Sequence, residues 1–272
     1  MEATFEIEGR IGILRDGPAV RFAHLKTMDQ PENHRLHLNN HLEIYVFVSG
    51  NHQYIVDGAL YDLRPGDLVI INPRQVHKAL PLGEGMYERF YLLLDPDCLS
   101  ALTSDPMDAI LQCHLVSPGD EARRKLLELL YAISDCFRGE QRPLAALGLL
   151  LQFLELLSTQ TRKTHPAAAM PVPPLLAKVL RYVQENAATV GSVAQVAEVM
   201  GITPQYLSAY FRKQIGTPLK IYIQAKKIAL AKELLSKGAD VTQACFDSGF
   251  NDCSYFIRIF RKYTGTTPHR YI

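Results

Sequence analysis

The feature that most constrains this chain is an internal repeat in its last hundred residues. Tyr206-Leu207, Phe211-Arg212-Lys213 and Gly216 recur as Tyr255-Phe256, Phe260-Arg261-Lys262 and Gly265, at a constant offset of 49. In each copy the aromatic and aliphatic residues fall at i, i+1 and i+5, which share one helix face, while Arg and Lys point away from it. Gly216 and Gly265 stand where a helix end needs positive φ, and Pro218 and Pro268 open the next segment in each copy. A shorter helix is expected before each copy, Ser192 to Met200 and Asp240 to Ser248. Ser192 with Gln195 and Asp240 with Gln243 have capping-box spacing, and Gly201 and Gly249 make the turns. Two helices joined by a tight turn are the helix-turn-helix unit that reads DNA, here twice in tandem.

Charge supports this reading. The net +1 of the 272 residues conceals an asymmetry: residues 172–272 hold 13 Lys+Arg against 6 Asp+Glu, and the remainder holds 16 against 22. A basic third beside an acidic remainder is the footprint of a phosphate-facing module joined to something else. The length suffices for two cores. Cys98, Cys113, Cys136, Cys245 and Cys253 are scattered and odd in number, the pattern of thiols rather than of a disulfide framework or a zinc site. The acidic N-terminus lacks an apolar signal core, and the run Leu144–Leu151 is too short for a bilayer. The expectation is a soluble cytoplasmic protein with no membrane partner.

Between about Val20 and Leu94 short strands alternate with turns: Glu43–Val48, Gln53–Val56 and Asp67–Ile71, punctuated by Ser49-Gly50, Asp57-Gly58 and Pro65-Gly66. That spacing predicts an antiparallel sandwich or small barrel. Residues 1–20 read as a short strand or arm that could fold over the barrel mouth. After Asp95-Pro96, Pro106 can start a short helix to Leu111, and Glu121–Phe137 carries a wide apolar stripe. Leu144–Leu157 is apolar on almost every side, with Leu147, Leu150, Leu154 and Leu157 in a heptad-like row. Such a helix needs cover on more than one face. A partner subunit across a twofold contact is one cover, and the same subunit is the other. Arg162–Pro174, with its prolines, is a linker. Leu175–Glu185 is a leading helix, and a long helix runs from Thr217-Pro218 to about Lys237.

From about Pro174 onward the chain resembles the DNA-binding domain of the AraC/XylS family of bacterial transcription regulators. The residues that carry this are Gly249-Phe250-Asn251-Asp252, Ser254-Tyr255-Phe256, Phe260-Arg261-Lys262, Gly265 and Thr267-Pro268-His269-Arg270-Tyr271. Ala244-Cys245, Lys227 and Ile272 depart from it, where Ile-Ala, Arg and Arg are usual. The resemblance places Gln205, Ser208 and Ala209 of the first recognition helix, and Cys253, Ser254, Ile257 and Arg258 of the second, toward bases. Arg258 is the candidate for direct readout, and Arg212, Lys213, Arg261 and Lys262 are assigned to phosphate. Thr203 caps the first recognition helix and Asn251 is expected to cap the second.

His37, Asn39, Glu43 and Gly50, then Gly66, Pro73 and His77, resemble the two cupin motifs. The resemblance makes His37, Asn39, Glu43 and His77 the ligand positions, with Asn39 in place of a second histidine. His37, Glu43 and His77 could still hold a metal, and the competing reading has the same residues with Tyr45 lining a pocket for an organic effector. His41 shares the parity of Glu43, whereas His24, His34 and His52 read as surface or loop residues.

These readings imply an α+β multidomain protein. A cupin-like β-barrel with its arm spans 1–96, a helical dimerisation segment 97–161, a linker 162–174 and an all-α double helix-turn-helix domain 175–272. The implied function is effector-responsive DNA-binding regulation, with activation as the expected sense. Its implied partners are double-stranded DNA, a small hydroxylated or carboxylated effector, a second copy of the chain and, by the family resemblance, RNA polymerase. No catalysis and no cofactor are expected. A metal-dependent cupin enzyme or metal sensor with a helical appendage is the alternative.

Overall fold

The computed structural model describes residues 4–12, 19–29, 36, 41–73, 75–94, 110, 114–139, 141–163 and 173–271. The strands are β1 (Phe5–Gly12), β2 (Ala19–Asp29), β3 (Leu42–Ser49), β4 (His52–Val56), β5 (Ala59–Asp62), β6 (Leu68–Ile71), β7 (His77–Pro81), β8 (Gly85–Leu94) and β9 (Leu115–Val116). They form an antiparallel sheet in the order β1-β2-β8-β3-β6-β9 and a smaller one, β5-β4-β7. β9 lies in the stretch expected to be helical, so the 97–161 segment also extends the sheet.

β3 shows how one sequence serves two cores. Its side chains alternate, so Leu42, Ile44 and Val46 join a cluster with the helices that come after the sheet. Tyr45 and Phe47 point the other way, into a cluster shared with Tyr54, Val56 and Ala79 of the small sheet. Both faces are covered, which is why β3 is buried from Leu42 to Phe47 without polar-apolar alternation.

Helices α1 (Asp120–Asp135) and α2 (Pro143–Lys163) cover the outer face of the large sheet. Leu126, Leu130 and Ile133 of α1 meet Ala146, Leu150, Phe153, Leu154 and Leu157 of α2 over Val20, Phe22, Phe90 and Leu92. This corrects the dimer assignment: Leu150, Leu154 and Leu157 are 5 % exposed or less, in the core of their own subunit. Leu147 is half-buried at its edge, and Leu144 (82 %) and Leu151 (44 %) face outward. The heptad row and the sheet-facing stripe coincide over so short a span, and burial of the sheet decides between them. By length and composition α2 could cross a membrane. Its inner face is instead spent on the sheet, as in a core helix.

β1 is likewise not a lid. It pairs with β2 along its whole length, from Phe5–Lys26 to Gly12–Ala19, and Ile11 is fully buried. The expected short helix near Pro106 and the residues of the linker between Lys163 and Pro173 lie outside the described residues.

The C-terminal domain comprises α3 (Pro174–Glu185), α4 (Val193–Val199), α5 (Pro204–Ile215), α6 (Leu219–Ser236), α7 (Val241–Asp247), α8 (Cys253–Thr264) and α9 (Pro268–Tyr271). Ser192, Thr203, Asp240 and Asp252 are the N-caps of α4, α5, α7 and α8, each accepting from a backbone N–H three residues on. Asp252 therefore replaces Asn251 as the cap of α8. The 49-residue offset from Thr203 lands on Asp252, so the repeat itself held the right answer.

Candidate nucleic-acid interface and barrel site

In both repeat copies the apolar residues turn inward: Leu207, Phe211 and Ile215 on α5, and Phe256, Ile259 and Phe260 on α8. The opposite faces are left to solvent. Gln205, Ser208, Ala209, Arg212 and Lys213 are exposed on α5, as are Ser254, Arg258, Arg261 and Lys262 on α8. Cys253 and Ile257 are half-buried beside them. Arg212 with Lys213 and Arg261 with Lys262 fall in the last turns, where the helix dipole favours cations. Gly216 and Gly265 close the helices at φ of 66° and 76°. The Arg258 guanidinium lies 5.3 Å from the centroid of the Tyr255 ring, a contact that orients it on the exposed face.

α6 packs Tyr222 against Phe211 of the first unit, ring centroids 5.7 Å apart, and is hydrogen-bonded to the second. Tyr263 Oη donates to Ile221 O at 3.1 Å, Gln224 bonds the Tyr255 hydroxyl, and Lys227 Nζ donates to Gly249 O. Sequence reasoning treated Lys227 as a departure and missed this bond. It also put Tyr206 on the apolar face of the repeat, whereas the ring is 55 % exposed and stacked on Tyr210. A phenol can lie at the edge of such a face with its ring in solvent, and of the three repeat positions only Leu207 and Phe211 carry the inward contact.

In the barrel, Glu43, Tyr45 and His77 come together, each 2 % exposed or less. His37 and Asn39 lie outside the described residues. His77 Nε2 bonds Glu43 Oε2 at 3.1 Å and Nδ1 bonds Gln75 O at 2.8 Å. A carbonyl and a carboxylate both accept, so both ring nitrogens carry protons. Burial disfavours that charge, but Glu43 and the Gln75 carbonyl outweigh it and raise the imidazole above its ordinary value. The Tyr54 ring lies nearly parallel to His77, and Tyr45 Oη meets Tyr87 Oη at 2.6 Å. Burial pushes Tyr45, Tyr54 and Tyr87 well up, so all three stay neutral hydrogen-bonding phenols. Among the described residues no group of three His, Cys, Asp or Glu is placed to hold a metal. Glu43 and His77 bond each other, and no metal chemistry is derived from this pair.

Two histidines read as surface residues are interior. His52 is 3 % exposed and stacks on Tyr87 with centroids 3.8 Å apart. His24 is fully buried beneath α1, because β2 alternates and sends Val20, Phe22 and His24 to the helix side. Burial lowers the His24 pKa, so the ring is neutral: Nε2 donates to Glu88 Oε1 and Nδ1 accepts from Ser134 Oγ, both at 2.9 Å. Tyr131 donates to the same carboxylate at 2.7 Å. His34 lies outside the described residues.

The small sheet has a second face, and the DNA-reading domain sits on it. Ile55 and Val76 belong to the helical core with Leu176, Leu180 and Phe211. Lys78 follows His77 on β7 and points the opposite way, donating from Nζ to Ile215 O (3.1 Å) and Thr217 Oγ1 (3.3 Å) at the end of α5. Burial pulls its pKa down to about 8. Asp57 pairs with Lys226 of α6 at 2.5 Å and accepts from Val76 N at 2.8 Å. A cavity of about 580 Å³ runs along this seam between Gln75, Gln184, Lys226 and Glu233.

Comparison with known proteins agrees with both halves. The AraC-like ligand binding domain family matches residues 22–157, and a helix-turn-helix domain family matches residues 196–272. The arabinose operon regulatory protein of Salmonella typhimurium is 26 % identical over 223 residues, spanning 79 % of this chain and 77 % of the relative. The transcriptional activator RhrA of Rhizobium meliloti is 33 % identical over 97 residues, 34 % of this chain and 31 % of the relative. Among solved structures, ToxT from Vibrio cholerae aligns over 92 % of this chain and 97 % of its own, with 16 % identity and a TM-score of 0.41.

Proposed function

The chain belongs to the AraC family of transcription regulators, and we propose that it is a cytoplasmic homodimeric activator whose effector binds at Glu43, Tyr45 and His77. Its two domains make it an effector-responsive DNA-binding regulator. In the proposed division of labour α5 and α8 enter successive major grooves, with α6 fixing their separation at about one helical turn of DNA. Arg258 reads a base edge, and Arg212, Lys213, Arg261 and Lys262 hold phosphates. Recruitment of RNA polymerase completes the activator role. No catalytic step is part of this reading.

The observation that carries the effector reading is the pair His77-Lys78. One strand sends an ionised imidazole into the barrel and, with the next residue, a buried amine to the end of a recognition helix. An effector carboxylate or hydroxyl that competes for His77 must move β7, and β7 carries Lys78. A ligand shifts a regulator only by binding its states unequally, and this strand is where the barrel and α5 share a moving part. The exposed line of Leu144 and Leu151 on α2 is the surface proposed for the second copy.

The test is selection of a duplex from a random library, then titration of two variants. Arg258→Ala is expected to lose about 1–3 kcal/mol at one base position and to relax preference there. Lys262→Ala is expected to weaken all sequences alike and to flatten the salt dependence. Parent-like binding by both would overturn the recognition assignment. Elemental analysis of the purified chain separates the organic effector from metal sensing: stoichiometric metal on which DNA affinity depends would replace the organic reading.

A further inference from the structure

β8 turns a cation toward the barrel interior. Its residues alternate, so Phe90, Leu92 and Leu94 join the core beneath the helices, while Tyr87, Arg89 and Tyr91 face the other way. The register sets Arg89 between Leu25 of β2 and Phe47 of β3. The guanidinium lies 4.2 Å from the centroid of the Tyr87 ring. Its Nη1 donates to Thr27 Oγ1 and, at 3.3 Å, to Tyr87 O, and both of these acceptors are neutral. Among the described residues no carboxylate lies within ion-pair distance of it. Glu88, the next residue along, faces the helices, where it bonds His24 and pairs with Lys26. Nε of Arg89 is buried and finds no acceptor among the described residues. A guanidinium that served only to close the sheet would spend that donor on a carbonyl or a carboxylate.

We propose that Arg89 is the anion anchor of the effector pocket and that the effector is a small organic monocarboxylate. This rests on the reading that the barrel holds the effector. Both hydrogen bonds of the head group leave from Nη1, so the edge formed by Nε and Nη2 remains. The two N–H bonds of that edge run parallel at the spacing of two carboxylate oxygens, and they take a carboxylate through a pair of charge-assisted bonds. Thr27 and Tyr87 O already hold the group in place, so little ordering is left for the ligand to impose.

Charge sets the ligand class. The Glu43–His77 pair needs no outside partner, because its two charges answer each other at 3.1 Å. Arg89 adds one positive charge beside walls of phenols and apolar side chains. A monoanion cancels that charge. A dicarboxylate or a phosphate dianion would leave a negative charge buried, and a neutral sugar would leave the guanidinium unanswered. Tyr45 joins the anchor to the pair described above. Its hydroxyl meets that of Tyr87 at 2.6 Å, and its ring centroid stands 5.4 Å from Tyr91 and 4.6 Å from Tyr54, which lies on His77. A ligand held by its carboxylate at Arg89 therefore rests its body against these rings, with the Glu43–His77 pair beyond them.

The experiment titrates the full chain by calorimetry with acetate, lactate, hexanoate and benzoate, each beside its primary amide, and with succinate and inorganic phosphate. The amides keep size and shape and lose the charge. The expected result is that at least one acid binds and that its amide binds about tenfold or more weakly, the scale of a lost charge-assisted bond. Arg89→Gln should lose the acid by a similar factor. Arg89→Lys keeps the charge without the two-bond edge and should lose less. Circular dichroism without ligand checks the fold of each variant, and the comparison of acid with amide in the parent decides the matter if a variant does not fold. Equal affinity for acid and amide, or no binding by any acid, would overturn the proposal. So would succinate or phosphate binding tighter than every monocarboxylate, or a folded Arg89→Gln that binds the acid as the parent does. An acid that binds through Arg89 and leaves affinity for a selected duplex unchanged would confirm the anchor and count instead against effector-responsive regulation.

Discussion

The two turn glycines offer a controlled comparison, since they occupy the same place in the two helix-turn-helix units. Gly201 has φ of 67° and open space where a Cβ would stand; Gly249 has φ of 84°, and a Cβ there would run into the backbone carbonyl of Ala188. Alanine in the left-handed region costs about 1–2 kcal/mol, and the stiffer unfolded chain returns about 0.4–1 kcal/mol. Gly201→Ala is therefore expected to cost about 1 kcal/mol. Gly249→Ala adds overpacking against a backbone that cannot rotate away, about 1–3 kcal/mol. The Cβ would also approach Lys227 Nζ to 3.0 Å and disturb its bond to the Gly249 carbonyl, about 1.5–3 kcal/mol for a charged donor. The expected total is about 3.5–7 kcal/mol. Urea unfolding monitored by circular dichroism, with hydrogen exchange of the α7 and α8 peptides, reads both variants. Equal costs at the two sites would refute the argument, as would a Gly249→Ala cost below that of Gly201→Ala.

Leu150→Glu should destabilise the barrel by several kcal/mol through a buried carboxylate, whereas Leu144→Glu with Leu151→Glu should leave its melting unchanged and dissociate a homodimer. Sedimentation and calorimetry distinguish them, and a parent already monomeric at micromolar concentration would remove the dimer. His77 has a raised pKa in the fold, so its contribution is complete below its ordinary value of about 6.5 and fades as pH rises through the folded value. Melting temperature against pH should therefore fall more steeply in the parent than in Glu43→Gln over that window, and parallel curves would sink the assignment. Lys78→Met should ease local opening at residues 215–219 by about 1.5–3 kcal/mol, seen as faster amide exchange there but not in β3; unchanged exchange would mean the amine does not secure the seam.

The C-terminal half was legible because its periodicity is local. Helix faces, caps and C-terminal glycines are set by residues within one or two turns, and the repeat supplied an internal check. What escaped was decided by contacts distant in sequence. Leu150 and Leu154 look the same whether they meet a second copy or the sheet, and only Val20, Phe22 and Leu92 settle it. His24 resembles any polar residue until β2 is seen to alternate beneath α1, with Ser134 lying 110 residues away. Glu43 and His77 were paired through a motif, but Lys78 was invisible because its partners belong to the other domain.

β1 also bears on how this chain can be handled and how it can misassemble. Among the described residues it is the outermost strand of the large sheet, and Gly9 leaves room for the Phe137 ring just beyond α1. Deleting the first dozen residues would strip β2 of its partner and bare a row of unpaired amides and carbonyls along Ala19 to Lys26. Such a row accepts any strand of matching length, including the bared β2 of a neighbouring copy. An N-terminal truncation should therefore yield barrels paired edge to edge, and the state of assembly measured on such a fragment would describe the cut edge rather than α2.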